Sequence, residues 1–445
     1  MKILFILPAI GRKDGEEYIG TWKMEPLMIA ALAALTPPDI ETFFYDDRIE
    51  AIDYSIDVDL VAISVETYTA SRAYQIAANF QNRGISVILG GYHPTAVPDE
   101  AAHHADCIVT GNAEEVWKSI LDDFKADSLQ KRYDGQLGGV PLMPDRSIYG
   151  AKKYLPLSLI ETGRGCPNHC EFCAITCFYQ AKYIPRPIED IVAEIKQTKN
   201  KFVFFIDDNL SADREHLMAL CKAVEPLKIK WTGQASLAVA KDDKLLAALK
   251  KSGCQVLLIG FESLDHKNLD QMNKSWNYQL GERDTLVRKM HKAGIGIYAT
   301  FVFGFDADAH ETFDDTIKFA MKHKFFFAAF NHLLPFPGTP LYTRLQDSGR
   351  LLYDKWWLKN GYRYGDIPFV PKKISHEELK EKCANLRRRF FAPLNIFKRG
   401  VASIWRNPKF MINVIFFSQN KVLGKEVDQK LNLPVGYGLD EGGAK

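Results

Sequence analysis

The 445 residues predict an α/β protein with two successive parallel-sheet domains and a helical C-terminal segment. Three patterns carry that prediction. The first 125 or so residues alternate short apolar runs with helical periodicity, as a doubly wound, Rossmann-like parallel sheet requires. A stretch holding Gly135, Gly138, Gly139, Pro141 and Pro144 then has the composition of a linker, and a second alternating block follows. From Ser375 onward the period turns helical. The chain is too long for one ordinary core, so domains are expected at 1–128 and 151–370, joined by a linker at 129–150 and closed by a helical region at 371–445.

In the first block, strands are expected at 3–7, 41–45, 60–64, 87–89 and 107–109, with helices at 26–35 and 70–83, the second stopped by Gly84. Ligands of such sheets sit beyond the carboxyl ends of the strands. The loops there read Ser64-Val-Glu-Thr-Tyr68, Gly90-Gly-Tyr-His-Pro-Thr95 and Thr110-Gly-Asn-Ala-Glu114. Ser64 and Thr67 can hydrogen-bond a buried ligand tail, and Gly90, Gly91 and Gly111 let backbone approach a large flat molecule. His93 lies in the Gly-Gly loop, where a hydrogen-bonding or structural role competes with cofactor contact.

In the second block, strands are expected at 155–162, 202–207, 230–235, 255–260, 296–303 and 328–334, with helices at 188–198, 212–223, 242–251, 278–293 and 311–322. In the last segment, Leu386, Phe390, Phe397, Val401 and Ile404 repeat at helical spacings beside Arg387, Arg388, Arg389, Lys398, Arg399 and Arg406, and Pro393 divides the pattern. Two readings are open: a basic amphipathic element resting on an anionic membrane, or a helix packed over the mouth of the second domain with a solvated basic face. The run 410–417 is too short to span a bilayer, and 440–445 reads as a frayed tail.

Chemistry concentrates in Cys166-Pro-Asn-His-Cys170-Glu-Phe-Cys173. Three thiolates on one short loop can hold three irons of a 4Fe-4S cluster and leave the fourth open to a small molecule. Cys177 is an alternative fourth ligand, which would favour electron transfer or structural zinc. No second Cys pair or His pair follows at zinc-finger spacing, and Gly163 and Gly165 free the backbone to fold around a cluster. A formal charge of +2 predicts no global attraction to nucleic acid, and 47% hydrophobic with 25% charged residues describes a globular chain. No signal peptide or membrane span is read, and eight cysteines, three of them clustered, fit a reducing cytoplasm.

The cysteine spacing, with Phe172 before the last thiol, resembles the radical S-adenosylmethionine (SAM) superfamily. The resemblance implies that Cys166, Cys170 and Cys173 bind the cluster, that SAM chelates the open iron, and that one electron cleaves it to a 5'-deoxyadenosyl radical. It implies an open, partial (β/α)6 barrel with its site at the carboxyl ends of the strands. It further implies that Asp207 or Asp208 offers SAM a polar contact, with a helix cap at Asn209 and Ser211 as the plainer role, and that Glu262 and Ser263 hydrogen-bond its ribose. Gln234 and Ser236 line the same cavity or merely fill the barrel. Phe301-Val-Phe-Gly304-Phe-Asp306 and Pro335-Phe-Pro-Gly-Thr-Pro340 match later rim loops of the subgroup.

The first domain resembles the cobalamin-binding domain that precedes many such barrels, although residues 11–23 lack the cobalt-ligating histidine of methionine synthase. Cobalamin without a histidine on its lower face, or a scaffold that has lost the cofactor, are the alternatives. The implied activity is cobalamin-dependent methylation of an unactivated carbon or phosphorus centre. Radical cyclisation or carbon–carbon coupling on a tetrapyrrole or lipid, and a non-catalytic cluster or cobalamin sensor, are the competitors. Implied partners are a small-molecule substrate and an electron donor such as flavodoxin or ferredoxin, with peripheral membrane contact as a further expectation. Trp356, Trp357, Tyr362 and Tyr364 either border a large apolar ligand or fill a core.

Overall fold

The computed structural model describes residues 1–136, 139–198, 200–406, 410–437 and 439. Gly138, the tail 440–445 and the side chain of Arg406 lie outside the described residues. The first sheet contains β1 (Lys2–Leu7), β2 (Glu41–Asp46), β3 (Leu60–Ser64), β4 (Ser86–Gly90), β5 (Cys107–Thr110) and β6 (Arg132–Asp134), all parallel in the order β2-β1-β3-β4-β5-β6. Its inner strands β1, β3, β4 and β5 read as nearly continuous apolar runs because both faces are covered. Leu4 and Ile6 of β1 join Val61, Ile63, Val87 and Leu89 in the core on one face, whereas Ile3 and Phe5 join Leu60, Ala62 and Ile88 on the other. Strand order reverses between β1 and β3, the switch point at which such sheets open a crevice. The structure differs from expectation in the linker, where Tyr133 is buried and β6 extends the sheet. Three residues with charged neighbours are too short a run to show period-two patterning.

The second domain contains β7 (Ser158–Ile160), β8 (Gly163–Gly165), β9 (Tyr183–Pro185), β10 (Phe202–Phe205), β11 (Lys230–Ala235), β12 (Cys254–Glu262), β13 (Gly296–Phe303) and β14 (Phe327–His332). Six of these form a parallel sheet in chain order, β7-β10-β11-β12-β13-β14, with β7 and β14 at its two edges, so the barrel is open. β8 and β9 form a separate antiparallel hairpin, which sequence periodicity did not reveal. Helix 278–293 is in fact two helices, Trp276–Gln279 and Arg283–Lys292, separated at Gly281, whose φ of 107° ends the first.

The described residues of the C-terminal segment form three helices. His376–Phe390, capped by the Ser375 hydroxyl at 3.1 Å from the Glu378 amide, packs along the edge strand β14. Pro393 begins a new helix, Pro393–Arg406, and 410–417 is the start of the 21-residue helix Phe410–Lys430. Ile412 and Phe416 pack with Val256 and Phe326, at the starts of β12 and β14. This pair of helices therefore covers the amino ends of the barrel strands and not its mouth. No helix among the described residues is long and apolar enough to cross a membrane. Arg399, expected on a solvated basic face, is fully buried; it donates to the carbonyls of Phe325, Phe326 and Phe390 and lies 3.7 Å from the Phe390 ring centroid.

Candidate active site between the two sheets

The β8–β9 hairpin holds the cysteine loop. Gly165 has φ +80°, and a Cβ there would meet the Lys182 carbonyl oxygen at 2.2 Å, so the loop turns away from the strand only with glycine. Cys173 then caps the short helix Ala174–Tyr179. The loop is braced from three elements. Asp208, beyond β10, accepts from the Gly165 amide at 3.0 Å. The Met272 carbonyl, beyond β12, accepts from the Glu171 amide at 3.1 Å, and Arg344 of helix Pro340–Asp347 pairs with the Glu171 carboxylate. Phe172 packs edge-on against Phe305, with ring centroids 6.1 Å apart.

Among the described residues no three His, Cys, Asp or Glu side chains close around a single ion. The donor set fits a polynuclear iron site. Cys166 Sγ is approached by Asn168 Nδ2 at 3.5 Å and Asn209 Nδ2 at 3.7 Å, donors of the kind that tune cluster sulfurs. Burial pushes the Cys170 thiol up to about 12 and the Cys173 thiol upward, although Thr176 partly offsets the latter. Loading iron must therefore displace these protons.

Around the rim, Glu262 ends β12 with φ +58°, at a register shift between Gly260 and Glu262. Its carboxylate accepts from Lys274 Nζ at 2.6 Å, and both side chains are about nine-tenths buried. A Cβ on Gly260 would meet Glu262 Oε1 at 2.2 Å and Lys274 Nζ at 2.9 Å, so that glycine makes room for the pair. Burial lowers the Lys274 ammonium, but Glu262 and then Cys170 outweigh it and leave its pKa raised. Ser263 Oγ accepts from the Asp265 amide at 3.1 Å and Asn268 Nδ2 at 3.2 Å, keeping its own proton for a further partner. Ser211 Oγ lies 3.0 Å from Ser236 Oγ, and Gln234 is half-buried on β11.

Asp207 departs from its expected place. It is buried, and its two oxygens accept from the Thr162 amide and hydroxyl, each at 2.7 Å, tying the end of β10 to the end of β7. Burial pushes its carboxyl up to about 7, against the pull of those hydrogen bonds. Of the adjacent pair only Asp208 keeps exposure, while Asn209 caps the next turn and reaches Cys166.

The carboxyl ends of the first sheet face this rim. Tyr92 hydroxyl donates to the Pro337 carbonyl at 2.8 Å, which joins the Gly-Gly loop to the proline loop, and Trp356 Nε1 steadies the same proline loop through the Pro335 carbonyl at 2.9 Å. Between them lies a cavity of about 280 Å³, walled by Ser64, Gly90, Gly91 and Gly111 from one domain and by Glu161, Arg164, Phe178 and Tyr179 from the other. It continues between the sheet and its helices past Phe5, Ala62 and Trp117, an apolar slot of a size suited to the flat tail of a larger ligand. Arg164 spans the domains, pairing with Glu161 and Glu114 at 2.7 Å each. Burial pushes the Glu161 carboxyl upward, with Arg164 opposing.

His93 and Thr67 do not line this cavity. His93 is fully buried; its Nε2 lies 3.1 Å from the Tyr74 hydroxyl and 3.2 Å from Glu100, its Nδ1 3.4 Å from Thr67 Oγ1, and Trp357 packs edge-on against it. The turn after Gly91 (φ +107°) places the ring in the sheet's helical layer, away from the cavity. Trp356, Trp357 and Tyr362 are likewise buried in that layer, and Tyr364 packs on Tyr68 beside it. Arg164, Lys274 and Asn209 are the side chains that sequence reasoning missed as site residues. Only Asn209 had a local signal, its place beside the Asp pair.

The family model of the radical SAM superfamily matches residues 160–320. Bacteriochlorophyllide d C-12(1)-methyltransferase of Chlorobaculum tepidum is 32% identical over 84% of this chain and 84% of its own length. The chain belongs to the radical SAM superfamily. Bacteriochlorophyllide d C-8(2)-methyltransferase of the same organism is 28% identical over 87% of this chain and 89% of its own. The fold of this radical SAM protein is also that of TsrM from Kitasatospora setae, a structure with cobalamin and a [4Fe-4S] cluster bound; the TM-score is 0.64 over 96% of this chain and 99% of that one, at 13% identity. Membership brings a 4Fe-4S cluster and SAM to the barrel, and the three loop cysteines are this chain's residues in the superfamily spacing.

Proposed function

We propose that this radical SAM enzyme is a cobalamin-dependent methyltransferase acting on an unactivated carbon of a tetrapyrrole. One observation carries the proposal: the cysteine loop and the inter-domain cavity share a wall, since Arg164 lies two residues before Cys166 and Phe178 and Tyr179 follow Cys173 within one helix. When bound, the cluster would supply an electron to SAM, and a corrin in the cavity would carry the methyl group.

The chain's own residues orient and shield. Asp208 and Arg344 fix the cysteine loop, Lys274 presents a buried cation beside Cys170, and Glu262 and Ser263 offer an acceptor and a hydroxyl at the rim. Phe172 and Phe305 exclude water from one side, as a radical intermediate requires. Ser64, Gly90, Gly91 and Gly111 would hold the corrin edge and tail, with no histidine among the residues lining the cavity. The similarity to the two bacteriochlorophyllide methyltransferases over most of both chains supports the substrate class. Three loop thiols that must stay reduced favour a cytoplasmic setting with a flavodoxin or ferredoxin as electron donor.

The test is anaerobic reconstitution with iron, sulfide and cobalamin, followed by SAM, reductant and a panel of chlorins. Formation of 5'-deoxyadenosine with a product one methyl group heavier is expected. A product lighter by hydrogen alone would convert the assignment to ring closure, and no nucleoside at all would exclude radical chemistry.

A further inference from the structure

The helices Pro393–Arg406 and Phe410–Lys430 form a hairpin whose inner face is well packed: Phe416 and Arg399 are buried, and Ser403 Oγ meets Asn413 Oδ1 at 3.1 Å. Its outer face has no partner among the described residues and is apolar. Leu394, Phe397, Val401 and Ile404 recur at intervals of three and four on the first helix, and Phe410, Met411 and Val414 are exposed on the second, whose Phe417 turns in against Gly400. Trp405 is 85% exposed, Phe410 78%, Leu394 63% and Phe397 62%. Single exposed apolar residues are ordinary, but a contiguous stripe on two adjoining helices is not.

Charge identifies what covers it. Between Glu381 and Glu426 the chain has no Asp or Glu and ten Lys or Arg. Arg388 and Arg389 are neutralised in surface ion pairs with Asp428 and Asp314, and Arg399 is buried. Lys398, Lys421 and Lys425 remain exposed along the hairpin. We propose that this hairpin docks flat on an anionic lipid bilayer, with the aromatic stripe in the headgroup–acyl boundary and the lysines among the phosphates. A second copy of the chain is disfavoured as the occupant, because mating the same faces would bring like charges together. Spanning is excluded for the described helices by length and composition.

The docking face lies at the amino ends of the barrel strands, whereas the cysteine loop lies at the opposite, carboxyl ends. Binding would therefore hold the enzyme at a membrane with its mouth turned away, so that substrate enters from the aqueous side. This inference does not rest on the proposed methyl transfer, and its test needs no turnover.

The full-length, cluster-loaded protein is co-sedimented with vesicles of phosphatidylcholine alone and of phosphatidylcholine containing a quarter phosphatidylglycerol. Binding to the anionic vesicles, weakened by salt, is expected. Phe397→Glu with Trp405→Glu should lower partitioning about tenfold or more, as losing two buried aromatics implies. Lys398→Glu with Lys421→Glu and Lys425→Glu should abolish the preference for anionic lipid. Should the first variant fold poorly, the difference emission spectrum between wild type and Trp405→Phe isolates Trp405, which must shift to the blue on anionic vesicles. No vesicle binding, an unshifted Trp405, or a dimer in light scattering that the double variant dissociates would each overturn the proposal.

Discussion

Replacing Asp207 by Asn isolates a buried charge whose cost can be worked out. The side chain is 1% exposed and its carboxyl is pushed from an ordinary 3.8 to about 7. Because the folded value is raised, the unfolded chain gives up this proton first. Stability from this group is complete below about pH 4, falls as pH rises, and is lost above about 7, a total of about 4 kcal/mol. Asn is nearly isosteric: its oxygen can accept from the Thr162 amide and its nitrogen donate to Thr162 Oγ1, so both 2.7 Å contacts survive without a charge. The variant should therefore gain on the wild type by about 2 kcal/mol between pH 5.5 and pH 8, or about 4–8 °C in melting temperature for a domain of this size. Anaerobic thermal unfolding of both proteins across that range, with every other titrating group common to the pair, measures the gap directly. Parallel curves, or an Asn variant that is the less stable at pH 8, would refute the assignment of a buried strand tie. Retained SAM binding by the same variant would show that Asp207 is not a cofactor contact.

Cys166→Ala, Cys170→Ala and Cys173→Ala should each lose most of the iron and the visible absorption of the reconstituted protein, whereas Cys177→Ala should keep both; iron analysis decides. Lys274→Met leaves Glu262 buried without its partner, which should cost about 3–5 kcal/mol locally, and SAM cleavage should fall more than protein yield; Lys274→Met with Glu262→Leu should recover the melting temperature but not the cleavage. Arg164→Met leaves Glu161 and Glu114 facing one another across the domain junction. It should weaken cobalamin binding, read by equilibrium dialysis, and make the loss greater at pH 8 than at pH 6, since Glu161 is already pushed upward by burial.

What the sequence discloses follows the range of the forces involved. β3, β11 and β13 were legible to the residue because their apolar pattern is set by burial on the sheet itself, as Ile297, Ala299, Phe301 and Phe303 on one face of β13 illustrate. The cysteine spacing was legible because all three thiols share one loop. Arg164 and Lys274 were not, since each acquires meaning only from a carboxylate brought to it by the fold, Glu114 lying 50 residues upstream of Arg164. His93 misled for the complementary reason. A loop position fixes a residue's place along the strand end but not the direction of its ring, and the backbone at Gly91 sends it into the helical layer. Arg399 shows the same limit: helical spacing placed it among cations, and three carbonyls with an aromatic ring took it inside.

The brace on the cysteine loop and the wall of the cavity are one continuous set of contacts. Asp208 holds Gly165, whose neighbour Arg164 holds Glu114 of the first domain; Cys166 begins one residue further on. A shift of the first domain must therefore pull on Arg164 and be felt at the first cluster ligand, while the register of the cluster loop sets where Glu161 and Tyr179 stand in the cavity. Two reactive groups that must meet one substrate without water gain from such a shared wall, because orientation fixed in advance costs nothing during reaction. Separate sites joined by a flexible linker would lose that alignment at each turnover; here the Arg164 ion triad and the Tyr92–Pro337 hydrogen bond span the domains, and Arg146 of the connecting stretch is itself paired with Glu25 and Glu194.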